Sequence, residues 1–193
     1  MLALEHLKHW LKTDIPEGVL ERLTAAAAAR VLEKGQPLLR PGEVCAYQAL
    51  VLDGCLRLYF DDEDVTQRIL HFAPEGFWMT DIESLLSGHP SAFGIDAVER
   101  SHLLVIDQPV VEQLLIEKPA IERALRECRE GMLFAMQRRL TTSLRKTAVR
   151  RYADFERDYP GLADRIPQYQ IAAYVGVTAE FMSTLRGRMN GKK

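Results

Sequence analysis

The sequence predicts an α+β protein in which a small antiparallel β-barrel or jelly roll is flanked by helices and followed by a C-terminal helical segment. Three observations carry this. Between Val31 and Asp107, short runs rich in Val, Leu, Ile, Phe and Tyr are cut by Gly35, Pro41-Gly42, Gly54, Asp61 to Asp64, Gly76 and Gly88-His89-Pro90, the texture of short strands joined by tight turns. On either side, the apolar spacing becomes that of helices. The stretch "IPQYQIAAYVGVTAEFMSTLRGRM", Ile166 to Met189, has the spacing of two helices about a sharp turn.

Residues 3–12 and 16–29 are predicted as helices: Pro16 stands in a first-turn position, and Val19, Leu20 and Leu23 form an apolar face leading into a run of alanines. In "ALVLDGCLRLYFDDEDVTQRILHF" two strand pairs alternate, joined first by a hairpin turn at Asp53-Gly54 and then by an acidic turn. The strands end at "SHLLVID". A short helix, "QPVVEQLLIEK", follows, and Pro119 opens a longer one over residues 119–144. Along it Ile121, Leu125, Cys128, Met132 and Ala135 recur at alternating four- and three-residue spacings, with Met136 and Leu140 beside them. Such a stripe either covers the protein's own core or pairs with its twin in a coiled coil. Thr147 is placed to cap a further helix bearing Val149, Tyr152, Phe155 and Tyr159, closed by Pro160-Gly161. The predicted division is an effector domain over 1–144 and a helical domain over 145–193.

The chain has 193 residues, 47% of them hydrophobic, enough to bury a core. Its first residues, "MLALEHLKHWLKTDIPEG", lack the basic start, unbroken apolar stretch and small-residue cleavage site of a leader. No apolar run approaches the roughly 18 residues of a membrane span. A cytoplasmic protein with no membrane partner is expected. Cys45, Cys55 and Cys128 form no CxxC pair and are read as buried small hydrophobes. His6, His9, His71, His89 and His102 show no HxH spacing on a strand, whereas metal-dependent dioxygenases and isomerases on small barrels need histidines and a carboxylate converging on one ion. No Ser/His/Asp pattern, nucleophile elbow or phosphate-cradling glycine loop is present. The reading is therefore of a non-enzyme, with no metal and no cofactor.

Charge divides the chain unevenly. From Arg138 to Lys193 twelve basic residues face five acidic ones, leaving the rest strongly acidic within a total of −2. That is the pattern of a basic nucleic-acid arm on an acidic body. Within the arm, Ile171, Val175, Val177, Met182 and Leu185 supply the apolar positions of a helix-turn-helix, Ala172 the close contact and Gly176 the turn. Thr178 then caps the second helix.

Two N-terminal helices, a small barrel with "RPGE" and "LDGCLRLYF", a long helix and a C-terminal helix-turn-helix resemble the Crp/Fnr transcription regulators, whose effector domain is of the cyclic-nucleotide-binding type. "RIPQYQIAAYVGVTAEFMS" and "FWMTDIESLLSGHPS" are similar to a short-chain branch of that family common in bacteria. The resemblance covers nearly the whole chain. It implies a homodimer joined along the long helix through Ile121, Leu125, Cys128, Met132 and Ala135, with two recognition helices meeting the half-sites of a palindrome in double-stranded DNA. Carried onto this sequence, the DNA-binding set is Gln168, Thr178, Ala179, Glu180, Ser183, Thr184, Arg186 and Arg188. Ala179, Glu180, Ser183 and Thr184 would face bases, and Glu180 matches an acidic base reader able to accept from a cytosine amino group. Arg186, Arg188, Lys192 and Lys193 would contact phosphates. Two departures stand out: the arginines that activators of the family often carry are Ala179 and Thr184 here, and the sequence stops at Lys193, before the β-hairpin wing that usually follows.

The resemblance also locates a phosphate-binding cassette, G-E-L-A followed by R-S-A in the family. Aligned on it, Thr80 replaces the glycine, Asp81 the glutamate and Pro90 the arginine, while Ser91 and Ala92 are retained. A cyclic phosphate thereby loses a charge-assisted hydrogen bond, worth about 1.5–3 kcal/mol. Asp81 is one methylene shorter than the ribose-holding glutamate, and Glu83 beside it repels an anion. The expectation is an effector domain that does not respond to cyclic AMP. Its candidate pocket, Phe77, Trp78, Thr80, Asp81, Ser91 and Ala92 with Met79 and Phe93, either accepts an apolar or neutral small molecule or is filled by its own side chains. Two further readings stay open at this point: a cyclic-nucleotide-responsive activator, and a ligand-binding or interaction module that has lost specific DNA binding.

Overall fold

Strands form where β-branched and aromatic residues alternate between glycine-bearing turns. The computed structural model of the protein describes residues 25–63, 66–117 and 119–190. Its strands are β1 (Ala28–Leu32), β2 (Pro37–Leu39), β3 (Tyr47–Asp53), β4 (Leu56–Asp61), β5 (Gln67–Ala73), β6 (Trp78–Met79), β7 (Gly94–Ala97) and β8 (Ser101–Asp107). They make two four-stranded sheets, ordered β1-β8-β3-β6 and β2-β7-β4-β5. The long register is antiparallel, from Tyr47 opposite Asp107 to Asp53 opposite His102, with an irregularity between Val51 and Asp53. Ala49, Leu50, Val51, Leu56, Ile95 and Leu103 are fully enclosed. The helices are α1 (Ile82–Ser87), α2 (Gln108–Glu117), α3 (Pro119–Arg145), α4 (Ala148–Asp158), α5 (Gln168–Val175) and α6 (Ala179–Asn190). The α+β class is as the sequence predicts.

Two local expectations are corrected. The Asp53-Gly54 turn does not close a hairpin: β3 belongs to one sheet and β4 to the other, so this turn carries the chain between sheets. Gly54 has φ +91°, and a Cβ there would lie 2.5 Å from the Arg100 carbonyl oxygen, so the corner is pressed against the chain entering β8. The second correction is at Ala28 and Ala29, predicted as helix and found in β1 opposite Val105 and Leu104. An open ladder position on β8 outweighs the small helix preference of alanine. The predicted helix over 3–12, and the part of the next one up to residue 24, lie outside the described residues. The acidic turn does join β4 to β5, neighbours in one sheet.

The chain forms two compact units. The first runs up to Leu58 and resumes over Phe72–Met132. It holds a buried fork between Arg57 and Asp96, with Nε and Nη2 donating to the carboxylate at 2.6 and 2.8 Å. The second comprises Tyr59–His71, the tip of the β4–β5 hairpin, together with the chain from Leu133 onward. Its core is Tyr152, Phe155, Tyr159, Leu162, Ile166, Ile171, Val175, Met182 and Leu185, all buried. Phe155 and Tyr159 lie 5.3 and 5.7 Å from the Tyr174 ring, centroid to centroid. Among the described residues no helix is long and apolar enough to cross a membrane.

Candidate nucleic-acid interface and effector cassette

The helix-turn-helix is built as its spacing implies. Gly176 adopts a left-handed conformation, φ 76° and ψ 47°, and its N–H returns to the Ala172 carbonyl, which ends α5 and turns the chain. Ile171, Ala172, Val175, Met182 and Leu185 are buried between the two helices, while Val177 is half-buried. Thr178 Oγ1 accepts the Phe181 N–H at 3.2 Å, which satisfies one of the donors left free at the start of α6. Burial of Met182 and Leu185 fixes the rotation of α6. Thr178, Ala179, Glu180, Ser183 and Thr184 are consequently exposed, and Arg188 with them. The Glu180 carboxyl is held below the usual range by its own backbone N–H and by the Thr178 hydroxyl, so it is an anion and a hydrogen-bond acceptor at neutral pH. Gln168 is half-buried in the first turn of α5, and Arg186 lies 3.9 Å from Asp164.

The basic arm is less free than its charge count suggests. Arg151 donates to the Val175 and Lys146 carbonyls, at 2.8 and 2.9 Å. Lys146 and Arg157 each meet the Asp154 carboxylate at 2.6 Å. Arg139 donates to the carbonyls of Ile69 and Tyr174 at 2.7 and 2.9 Å. Arg138, Arg145, Arg150 and Arg188 are exposed.

In the first unit the cassette residues Thr80, Asp81 and Ser91 come together, all buried. Asp81 caps α1: its Oδ1 accepts the N–H groups of Glu83 and Ser84 at 3.1 and 3.4 Å. The Ser91 hydroxyl meets its other oxygen at 2.6 Å. Ser91 Oγ also accepts the Phe93 N–H at 2.9 Å. Thr80 Oγ1 donates to the Tyr47 carbonyl at 2.9 Å, and Ser84 Oγ joins the Cys45 N–H to the His89 carbonyl. Thr80, Asp81 and Ser91 thus all have hydrogen-bond partners within the protein. Of the other pocket candidates, Trp78 is half-buried while Phe77 and Ala92 are exposed. On α3, Ala135 is half-buried, and the side chains of Ile121, Leu125, Cys128 and Met132 lie outside the described residues.

Residues 29–118 match the cyclic nucleotide-binding domain family. Among solved structures, FixK2 from Bradyrhizobium japonicum superposes with a TM-score of 0.75 at 20% identity, over 86% of this chain and 85% of that one. CLP, the c-di-GMP-responsive global regulator of Xanthomonas campestris, does so with a TM-score of 0.75 at 15% identity, over 92% and 93%. A regulator of the Crp/Fnr family from Eubacterium rectale gives 0.73 at 14% identity, over 97% and 88%. The chain has the Crp/Fnr fold. No curated protein sequence matches it. Within this Crp/Fnr fold the domain match spans β1 to α2 and stops where α3 begins.

Three features of this chain escape a reading of the sequence. The capping role of Asp81 has a local signal, an Asp directly before the apolar run of α1, but alignment on the cassette directs it toward a ribose instead. The contacts of Arg139 and Arg151 have no local signal at all, because their acceptors are backbone carbonyls distant in sequence. The third is the exposure of Leu133, Phe134 and Leu144 on α3, near Met136 and Leu140, which the sequence already places beside the expected seam.

Proposed function

We propose that the chain is a DNA-binding transcription regulator of Crp/Fnr type, a homodimer that reads palindromic double-stranded DNA through its helix-turn-helix and carries an effector domain that cyclic AMP does not gate. The observation that carries this is the outer face of α6. Burial of Met182 and Leu185 leaves Thr178, Ala179, Glu180, Ser183 and Thr184 in solvent on one helix, next to Arg188. Hydrogen-bonding side chains and a carboxylate held ionised are suited to base edges, and the exposed arginines to the backbone. The exposed Leu133, Met136, Leu140 and Leu144 follow one another at three- and four-residue steps along α3, which supports pairing of that helix with its twin.

The committed cassette supports the lack of cyclic-nucleotide gating. Asp81 places a negative charge on the donors a phosphate would need, and Pro90 stands where the family has its arginine. Catalysis has no place in this reading. Calorimetry with cyclic AMP at neutral pH is expected to show no saturable micromolar binding, and such binding would restore the nucleotide-gated activator.

DNA affinity, measured by fluorescence anisotropy against salt, is expected to fall steeply, since each phosphate contact releases a counterion. Glu180→Ala is expected to relax preference among related duplexes while leaving non-specific affinity and salt slope in place. An affinity independent of salt would refute the reading.

A further inference from the structure

We propose that Arg139 is a positioning residue that ties the tip of the β4–β5 hairpin to the end of the first helix of the helix-turn-helix, so that the hairpin sets the attitude of the DNA-reading module. The consequence for DNA rests on the function proposed above; the tie itself stands on contacts within the second compact unit, to which the hairpin tip, the end of α3 and α4–α6 all belong.

One nitrogen of Arg139, Nη2, donates to the Ile69 carbonyl at 2.7 Å and to the Tyr174 carbonyl at 2.9 Å. The guanidinium carbon also lies 3.7 Å from the centroid of the Tyr174 ring. Both acceptors are backbone groups. Among the described residues β5 is the last strand of its sheet, and its Ile69 carbonyl accepts from Arg139. Tyr174 lies in the last turn of α5, where helix carbonyls lack an intrahelical donor. A backbone carbonyl moves only with its whole segment, so a single cation shared between two of them fixes one segment against the other. The planar guanidinium does this while stacked on the ring, which a lysine ammonium does not reproduce.

A second tie runs beside it. His71, two residues after Ile69 on the same strand, meets the Tyr159 hydroxyl through Nδ1 at 3.1 Å, and the Tyr159 ring stands edge-on to Tyr174. The hairpin tip is thereby joined to α4 and to α5 through one aromatic cluster. By charge count Arg139 belongs with the DNA-binding arginines, but its bonds turn it inward.

The test uses the full-length protein as wild type, Arg139→Met and Arg139→Lys. Hydrogen exchange read by mass spectrometry should show residues 66–71 and 170–177 losing protection together in Arg139→Met, by about tenfold or more, the scale of losing charge-assisted hydrogen bonds. Residues 94–107 should be unchanged. Arg139→Lys should give an intermediate loss in the same two segments, and it serves alone if the methionine variant does not fold. Loss confined to one segment, or to neither, overturns the tie.

A second arm uses a duplex selected by the wild type. Arg139→Met should bind the full palindrome at least about tenfold more weakly, with its salt slope unchanged and its affinity for a single half-site retained. A slope reduced by about one would make Arg139 a phosphate contact and overturn the proposal. If the wild type selects no duplex, the DNA reading fails while the exchange result still decides the tie.

Discussion

His71 is held neutral inside the second unit. Burial, and then the neighbouring Arg139 charge, push its pKa from the ordinary 6.5 down to about 4. Between those two values the unfolded chain binds a proton that the folded chain refuses, so stability rises with pH across the window. His71 therefore contributes fully above about pH 6.5, and its contribution is lost progressively as the pH falls toward 4. At about 1.4 kcal/mol per pKa unit this amounts to roughly 3 kcal/mol as an upper bound, since the ring retains some solvent access. Urea denaturation of the wild type and of His71→Gln should give curves that diverge near neutral pH and converge toward pH 4. A difference independent of pH would contradict the burial of a neutral ring. At this scale the sequence gives only part of the answer. It shows His71 only as one of five histidines without HxH spacing, and the Tyr159 hydroxyl it meets lies 88 residues away.

The corner at Gly54 is the element on which the two sheets depend. A side chain there meets two separate obstacles: the positive φ, which costs about 1–3 kcal/mol for a residue other than glycine, and the Arg100 carbonyl oxygen 2.5 Å from the added Cβ. Gly42 has a similar φ of +87° with nothing within 4 Å, so it isolates the first obstacle. Gly54→Ala should lower the denaturation midpoint clearly more than Gly42→Ala does. Equal losses would mean that the corner is not tightly packed. The corner also shows where sequence reading stops. Asp-Gly between two alternating runs is the signal of a hairpin, and a corner between sheets uses the same residues, because both need a positive φ. Only the partner of the next strand distinguishes them. The helix-turn-helix, in contrast, is legible from end to end. Ile171, Ala172, Val175, Met182 and Leu185 follow helical spacing about one glycine, and all five are buried. The cassette lies between these cases: the sequence shows which residues depart from the family's pattern, but not that Asp81 turns to cap α1 and meet Ser91.

At the scale of the whole molecule, the first compact unit carries the sheets and a cassette whose Asp81 and Ser91 bond to each other, and the second, helical from Leu133 onward, leaves the outer face of α6 in solvent. Residues 29–118 match the cyclic nucleotide-binding domain family, and 92% of the chain is matched by fold. Reading by two copies makes a geometric demand on DNA: half-sites must repeat with two-fold symmetry, about one helical turn apart. Selection of bound duplexes from a randomised pool by the purified full-length protein, at low salt and without added ligand, tests this most directly. Enrichment of a palindrome with half-site centres roughly 10 base pairs apart is expected; a pool that remains random after repeated rounds would contradict the proposed reading of DNA by a dimer.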